Sequence, residues 1–588
     1  MAVRQTWRRI VFLATGLVGF LYVASPGPAA AQDVIASTTT YTLTITLAGT
    51  ASGTVTSTPA GISCKPTCIA SFASGTSVRL TASPASGAYF AGWSGACTGT
   101  GTTCTLAMTA SRAATATFKV SQTVKVLNHI IFMLQENRGL DHYFGALRQY
   151  WAENKIYNIS FDGLPQFNPT SGTAPLYGPP PHNPGCDPAY PPPNDCIEDS
   201  KSPAVTSFHL ITQCIENPSP SWNEGHVDWN MTNPVSGTPA LNGYVYTAAH
   251  DARNISPPYH DTNGERAMGY YDGNDLNYYY FMASQFSISD RWFAPVMTRT
   301  QPNREYALAA TSQGYAYPIG TDSGDQSLLT ATPIFERLQN AGVSWKIYVN
   351  PKDSTCASNP TAQCLLTLSY IQDFTWGQTI PSKYPGHLVP ISQYFTDLKN
   401  NTLPAVAMIE PASSAGLDEH GSDTDQYPIN IQLGAQYVES LINALMTSTS
   451  WKSSAFILSY DEGGGLYDHV AAHTAVNPDG IMPKDLEPGD ICTTSTGPTC
   501  NFTYTGYRVP LIVISPYAKK HYVDHNYADH TAILKLIETR FNLPALTKRD
   551  AAQINMSSFF NFNFPSWLTP PNPPAQNVSG SCYLNQLP

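Results

Sequence analysis

Two short apolar runs in this chain end on acids. Ile130-Ile131-Phe132-Met133-Leu134 leads through Gln135 to Glu136-Asn137, and Ala455-Phe456-Ile457-Leu458-Ser459-Tyr460 leads to Asp461-Glu462. Runs of this length read as buried strands of a parallel sheet, and ligands of open α/β sheets collect at the carboxyl ends of such strands. Two adjacent ends would supply an all-oxygen set of carboxylates and an amide, which suits a hard divalent cation. The alternative is that Glu136, Asn137, Asp461 and Glu462 are ordinary turn and cap residues.

The surrounding residues narrow the choice. Gln135-Glu136-Asn137-Arg138-Gly139-Leu140-Asp141-His142-Tyr143-Phe144-Gly145 resembles the ENRSFDHYFG signature of the bacterial phospholipase C and acid phosphatase family of phosphoesterases. Thr300-Gln301-Pro302-Asn303-Arg304 resembles the TxPNR element of that family. Asp461 to Val470 resembles its DEHGGFYDHV element, and Arg508 to Pro516 its RVPxxVISP strand, followed by Asp529-His530-Thr531. Four motifs in family order span roughly residues 125 to 565.

The resemblance implies a site. Phosphoester hydrolysis needs a nucleophile in line with the leaving group, positive charge on the phosphoryl oxygens and a proton for the departing alcohol. By resemblance Thr300 is the nucleophile and completes a metal shell with Glu136, Asn137, Asp461 and Glu462. The cofactor is then one divalent ion, with calcium, magnesium, manganese and zinc all open. His226, within Trp222 to Asn230, matches the family's W-x3-H-x-x-W/F-N element, and His420 matches its EHP element with Gly421 in place of proline. Both are expected to carry protons or contact phosphate. Asn303, Arg304, Asp468, His469 and His530 are expected either behind the ligands or on the phosphate. The plainer alternatives are that Thr300 caps a helix starting near Pro302 and that each histidine makes a structural hydrogen bond. The family serine is Gly139 here, its next phenylalanine is Leu140, Pro220-Ser221 stand where a histidine is common, and Gly463 replaces the histidine of DEHGG.

The elements that must hold these residues alternate. Val343 to Val349 and Ala405 to Ile409 read as further strands, and Gln432 to Met446 and Thr531 to Phe541 carry apolar residues at helical spacing. Strand–helix alternation predicts an α/β fold, a mainly parallel sheet flanked by helices, alkaline phosphatase-like by resemblance, over residues 125–565 with a tail at 566–588. Residues 160–206 are Pro-rich and are expected to shape the substrate entrance. The tyrosines of Gly269 to Phe281 read as core packing or as a cage for a choline cation.

Residues 33–120 differ in kind. Tyr41 to Leu47 and Ser77 to Ala82 alternate with period two, and Gly87 to Gly95 resembles the FxGWSG strand of bacterial extracellular β repeats. None of the 14 histidines and only Asp33 of the 42 acids lies before position 129. A small antiparallel β domain so poor in acids and bases cannot run the hydrolysis. It is a spacer, a stability module or a unit that binds a surface or polysaccharide.

Composition sets the outer bounds. The 588 residues carry a net charge of −11, which argues against a nucleic-acid partner. Arg4, Arg8 and Arg9 precede the apolar stretch Ile10 to Val23, and Ala29-Ala30-Ala31 offers a cleavage site. Residues 1–31 therefore read as a signal for secretion or periplasmic delivery, by the general or the twin-arginine route, leaving no membrane span after cleavage. Ten of the twelve cysteines form close pairs in sequence, with Cys214 in a loop and Cys582 in the tail. An even number in an exported chain reads as disulfides; zinc is disfavoured because no histidine lies near Cys64, Cys68, Cys97 or Cys104.

The expected activity is that of a secreted, metal-dependent phospholipase C acting on phospholipid phosphodiesters. The alternatives are an acid phosphatase acting on phosphomonoesters and a surface-binding protein with a retired catalytic domain. The intact Glu136, Asn137, Thr300, Asp461 and Glu462 weigh against the last.

Overall fold

The computed structural model describes residues 38–587 except 66, 157–158, 168–177, 321–325 and 423–427. The expected export signal lies outside the described residues. The chain divides into two compact units, Met1–Val120 and Ser121–Pro588. No helix among the described residues is long and apolar enough to cross a membrane.

The first unit holds eight strands: β1 (Thr40–Gly49), β2 (Gly53–Thr58), β3 (Ser63–Cys64), β4 (Ile69–Ala73), β5 (Ser77–Pro84), β6 (Ala88–Gly95), β7 (Thr103–Ala107) and β8 (Arg112–Val120). They form two four-stranded sheets, β4-β1-β8-β6 and β3-β2-β5-β7. Alternation decides the faces: Val78, Leu80 and Ala82 of β5 point inward, and their neighbours outward. Inward residues of both sheets, among them Leu43, Phe90, Trp93 and Phe118, share one core. Pairing is antiparallel apart from β1 with β8. Cys64–Cys68 and Cys97–Cys104 are bridged.

The second unit is built on an eight-stranded sheet. Its strands are β9 (His129–Gln135), β10 (Ser287–Ser289), β11 (Trp345–Val349), β12 (Leu388–Pro390), β13 (Val406–Ile409), β14 (Ser454–Tyr460), β15 (Leu511–Ile514) and β16 (Tyr522–Asp524). Their order is β12-β11-β13-β9-β14-β15-β10-β16. The pairings make β15 the one strand running against the rest. Ile130 to Met133 and Ala455 to Ile457 are fully buried, as strands covered on both faces require.

Among the helices that carry motif residues or pack into the core are α1 (Trp222–Trp229), α2 (Asn277–Gln285), α3 (Thr300–Ala309), α4 (Ile431–Thr447) and α5 (Thr531–Phe541). The Asn430 side chain accepts from the Gln432 amide and starts α4, which buries Val438, Leu441, Ile442 and Leu445. Each such side chain contributes roughly 1.5–3 kcal/mol on burial. Asn542, at φ 57°, ends α5 in the left-handed conformation that asparagine tolerates. On α2, Tyr278, Tyr279 and Tyr280 are buried in the core. Their faces are packed inside the protein, which is the core-packing reading of this stretch.

Among residues 160–206, short strands His182–Pro184 and Ala204–Thr206 pair, and Cys186–Cys196 is bridged and packs on Ala249. The tail is fastened as well. Cys214 is bonded to Cys582 across 368 residues, and Thr212 Oγ1 donates to the Tyr583 carbonyl at 2.6 Å. Cys356–Cys364 and Cys492–Cys500 complete the bridges.

Candidate active site

Register brings the two acidic ends together. β9 and β14 are adjacent and parallel, with Gln135 opposite Tyr460, so Glu136 and Asp461 leave the sheet side by side. Asp461 N donates to the Gln135 carbonyl at 3.0 Å, and Asn137 N donates to Asp461 Oδ1 at 2.9 Å. Asn137 stands at φ 60°, a left-handed conformation of the kind that collects at functional turns.

Helix α3 closes the group. Arg299 occupies its cap position without a side-chain cap bond, and Thr300 is its first residue. Thr300 therefore does not cap the helix; its hydroxyl instead donates to Asn137 Oδ1 at 3.3 Å. Asn303 is fully buried, accepting from Val296 N at 2.9 Å and donating to the Thr298 carbonyl at 2.7 Å. Its amide fixes the loop that delivers Thr300 and has no atom left over for phosphate. One turn on, Arg304 lies 3.2 Å from Glu136 Oε1 and 3.3 Å from Asp461 Oδ2, with its guanidinium over the Tyr370 ring at 4.4 Å. Tyr370 also donates its hydroxyl to Glu136 Oε1 at 3.0 Å.

The charges do not balance. Burial, then the neighbouring Asp461 charge, holds the Glu462 carboxyl well above its usual range. Burial raises Glu136 to about 7, with Arg304 opposing and Asp461 adding to the rise. Glu462 Oε2 accepts from Gly464 N, while the buried Oε1 has no partner among the described residues. Three carboxylates with one contacting cation and an orphaned oxygen make a donor set that a hard divalent ion fits.

The histidines are placed unequally. The Glu136 amide donates to the Asp418 carbonyl at 2.9 Å, which ties the loop carrying His420 to the acidic cluster. His420 is half-buried, with Nδ1 2.6 Å from the Gly421 carbonyl and Nε2 3.5 Å from Asn217 Nδ2. His530 is fully buried, and burial lowers its pKa to about 4. His226 is also fully buried. Its nitrogens face the Trp222 and Thr499 carbonyls at 2.7 and 3.4 Å, and among the described residues no contact joins it to the carboxylates.

His469 and Asp468 belong to a separate network. Arg508 lies 2.5 Å from Asp468 and 3.0 Å from Asp141, while His469 lies 2.6 Å from Asp141 and 3.2 Å from Asp162. Asp141, Asp468 and His469 converge closely enough to hold a metal, as do His209, Asp272 and Asp275. In the first group, however, the Arg508 guanidinium already provides the cation.

Two residues take a supporting role that the sequence reading did not give them. Glu419, fully buried at φ 69°, accepts hydroxyl donors from Tyr143 (2.8 Å), Tyr279 (2.5 Å) and Tyr460 (2.7 Å) and an amide donor from Gln135 (3.1 Å). Arg138 Nε donates to the Glu419 carbonyl at 2.7 Å. This knot locks the loop bearing His420; the sequence showed Glu419 only as the acid of the EHP-like element, with nothing to say that three tyrosines converge on it. Tyr370 lay in no motif and gave no sign.

Comparison with known proteins divides along the two units. The phosphoesterase family matches residues 127–544, and the divergent InlB B-repeat domain matches residues 42–122. Phospholipase C A of Mycobacterium tuberculosis is 30% identical over 475 residues, covering 77% of this chain and 80% of that protein. Non-specific phospholipase C4 of Arabidopsis thaliana is 28% identical over 452 residues, covering 72% and 69%. Hemolytic phospholipase C of Pseudomonas aeruginosa is 25% identical over 451 residues, covering 72% and 53%.

Proposed function

The chain belongs to the phosphoesterase family and is a phosphoric ester hydrolase, and from that premise we propose that it is an exported phospholipase C that cleaves phospholipid phosphodiesters through Thr300. The observation that carries the proposal is the meeting of Thr300 Oγ1 with Asn137 Oδ1 at 3.3 Å, beside the carboxylates of Glu136, Asp461 and Glu462. In the first step the bond from Thr300 Oγ to phosphorus forms, the ester bond to the glycerol oxygen breaks, and diacylglycerol departs with a proton. Water then cleaves the phospho-threonine, releasing the phosphorylated head group and restoring the hydroxyl.

Glu136, Asn137, Thr300, Asp461 and Glu462 would hold one divalent ion, which when bound supplies positive charge to the phosphoryl oxygens and favours the Thr300 alkoxide. Among the histidines, His420 is the proton carrier. It is half-buried rather than sealed, with Nδ1 on the Gly421 carbonyl and Nε2 facing Asn217. His226, with both nitrogens turned to backbone carbonyls, holds α1 in place.

The test is turnover of phospholipid vesicles by the purified full chain, with and without chelator, beside a simple phosphomonoester. Chelator-sensitive release of diacylglycerol is expected. Hydrolysis of the monoester alone would reassign the protein as a phosphatase.

A further inference from the structure

Beside the acidic cluster lies a cavity of about 220 Å³, lined by Asn350, Ser369, Tyr370, Gln372, Pro411 and Ser413 among others. Its place is set by strand order. β11 and β13 are parallel to β9 and adjacent in the sheet, so Asn350 after β11 and Pro411 after β13 leave the same edge as Glu136 after β9. Ligands of such sheets bind along that edge. Tyr370 joins the two places: it lines the cavity and donates its hydroxyl to Glu136. The Cys356–Cys364 bridge braces the segment that leads into this wall.

The lining carries no formal charge. Tyr370 is its one aromatic ring, and the Arg304 guanidinium already lies over that ring at 4.4 Å. A quaternary ammonium is recognised best by a cage of several aromatic faces, and the lining offers one ring, already covered on one side by Arg304, and no carboxylate. What is on offer is hydrogen bonding. The half-buried Gln372 amide and the exposed Ser413 hydroxyl are open to a ligand at the cavity mouth, while Ser369 donates to the buried Glu410 at 2.5 Å and keeps the wall in place.

Resting on the phosphoesterase reading, we infer that this cavity holds an uncharged polyol substituent of the substrate phosphate, of the glycerol or inositol kind, in preference to choline. Amide and hydroxyl groups that pair with ligand hydroxyls favour a polyol over a partner that has none.

The experiment uses the full chain with its divalent ion on phosphatidylglycerol, phosphatidylinositol and phosphatidylcholine in identical mixed micelles. A second arm uses soluble glycerol 3-phosphate, inositol 1-phosphate and phosphocholine. A kcat/KM ratio of polyol over choline of about tenfold or more is expected, as is its collapse toward unity in Gln372→Leu and Ser413→Ala through a raised KM for the polyol substrates. A ratio favouring choline, or one that neither substitution moves, overturns the inference. If no lipid is cleaved, the phospholipase reading fails. The soluble arm then decides this inference alone, preference for the polyol phosphates supporting it and preference for phosphocholine refuting it.

Discussion

The backbone N–H of Asn137 donates to Oδ1 of Asp461 at 2.9 Å, joining positions 324 residues apart. The bond depends on the left-handed turn at Asn137, which aims its amide at one strand end while its side-chain oxygen meets Thr300. One backbone conformation therefore sets the distance between the acidic pair and the helix start. Gly464 completes the turn at φ 71°, and a Cβ there would stand 2.2 Å from the Asn137 carbonyl oxygen.

Gly464→Ala should therefore shift the Asn137 turn. A loss of about 1–3 kcal/mol of stability is expected from the unfavourable φ and the clash, with turnover down at least about tenfold as the site opens. Gly463→Ala is the matched control, since its Cβ would meet only Tyr507 Cβ, at an ordinary 3.6 Å. Denaturant unfolding and turnover of both proteins provide the comparison; equal behaviour would show that the turn does not set the site.

Arg304 makes a separate prediction. It is 4% exposed and lies between Glu136 and Asp461, so Arg304→Met leaves two buried carboxylates facing each other. Removing one partner of a buried ion group costs about 3–5 kcal/mol. The loss should be largest in chelator and partly reversed by millimolar divalent ion, because a bound cation stabilises only the folded chain. Melting curves with and without the ion decide it, and an identical loss in both would argue against a cation among these carboxylates.

The parts of the site were not equally visible in the sequence. Glu136 and Asp461 come after apolar runs whose length and period announce buried strands, and α4 and α5 are announced by side chains spaced three and four apart. Local pattern is enough for such elements. Strand order is not local: nothing in the runs themselves says that β9 lies beside β14, and the motifs had to supply that. Glu419 and its three tyrosines come from four separate segments, and Cys214 meets Cys582 only because the tail returns to Thr212. Long-range pairing of this kind leaves no period to read. His226 sits on a motif position, and its ring faces two backbone carbonyls, a contact that the motif alone does not announce.

His469 should make stability depend on pH. Burial alone would lower its pKa, but Asp141 and Asp162 raise it to about 9 from 6.5, against the opposing charge of Arg508, which is itself paired with Asp468. A raised folded-state pKa means that the stabilisation is complete below pH 6.5 and is lost as pH rises through about 9. The full effect is on the order of 3 kcal/mol. The stability difference between wild type and His469→Gln should shrink accordingly between pH 6 and pH 9.5. A difference that stays constant would mean that the ring is neutral in the folded protein.

Thr300 carries the sharpest prediction. If its hydroxyl attacks phosphorus, a phospho-threonine must form and then be hydrolysed, and each half-reaction needs that oxygen beside Asn137 Oδ1. Thr300→Ala removes the nucleophile and should lower turnover by about three orders of magnitude or more, because covalent catalysis splits one hard step into two easier ones. Thr300→Ser keeps the oxygen and loses one methyl, so substantial activity should remain. Since α3 takes no side-chain cap from Thr300, neither change should unfold the helix. Acid-quenched enzyme incubated with a labelled phosphoester should carry label on the peptide containing Thr300 and none in Thr300→Ala. Near-normal turnover in Thr300→Ala would instead make water the attacking group and leave Thr300 only as a contact of Asn137.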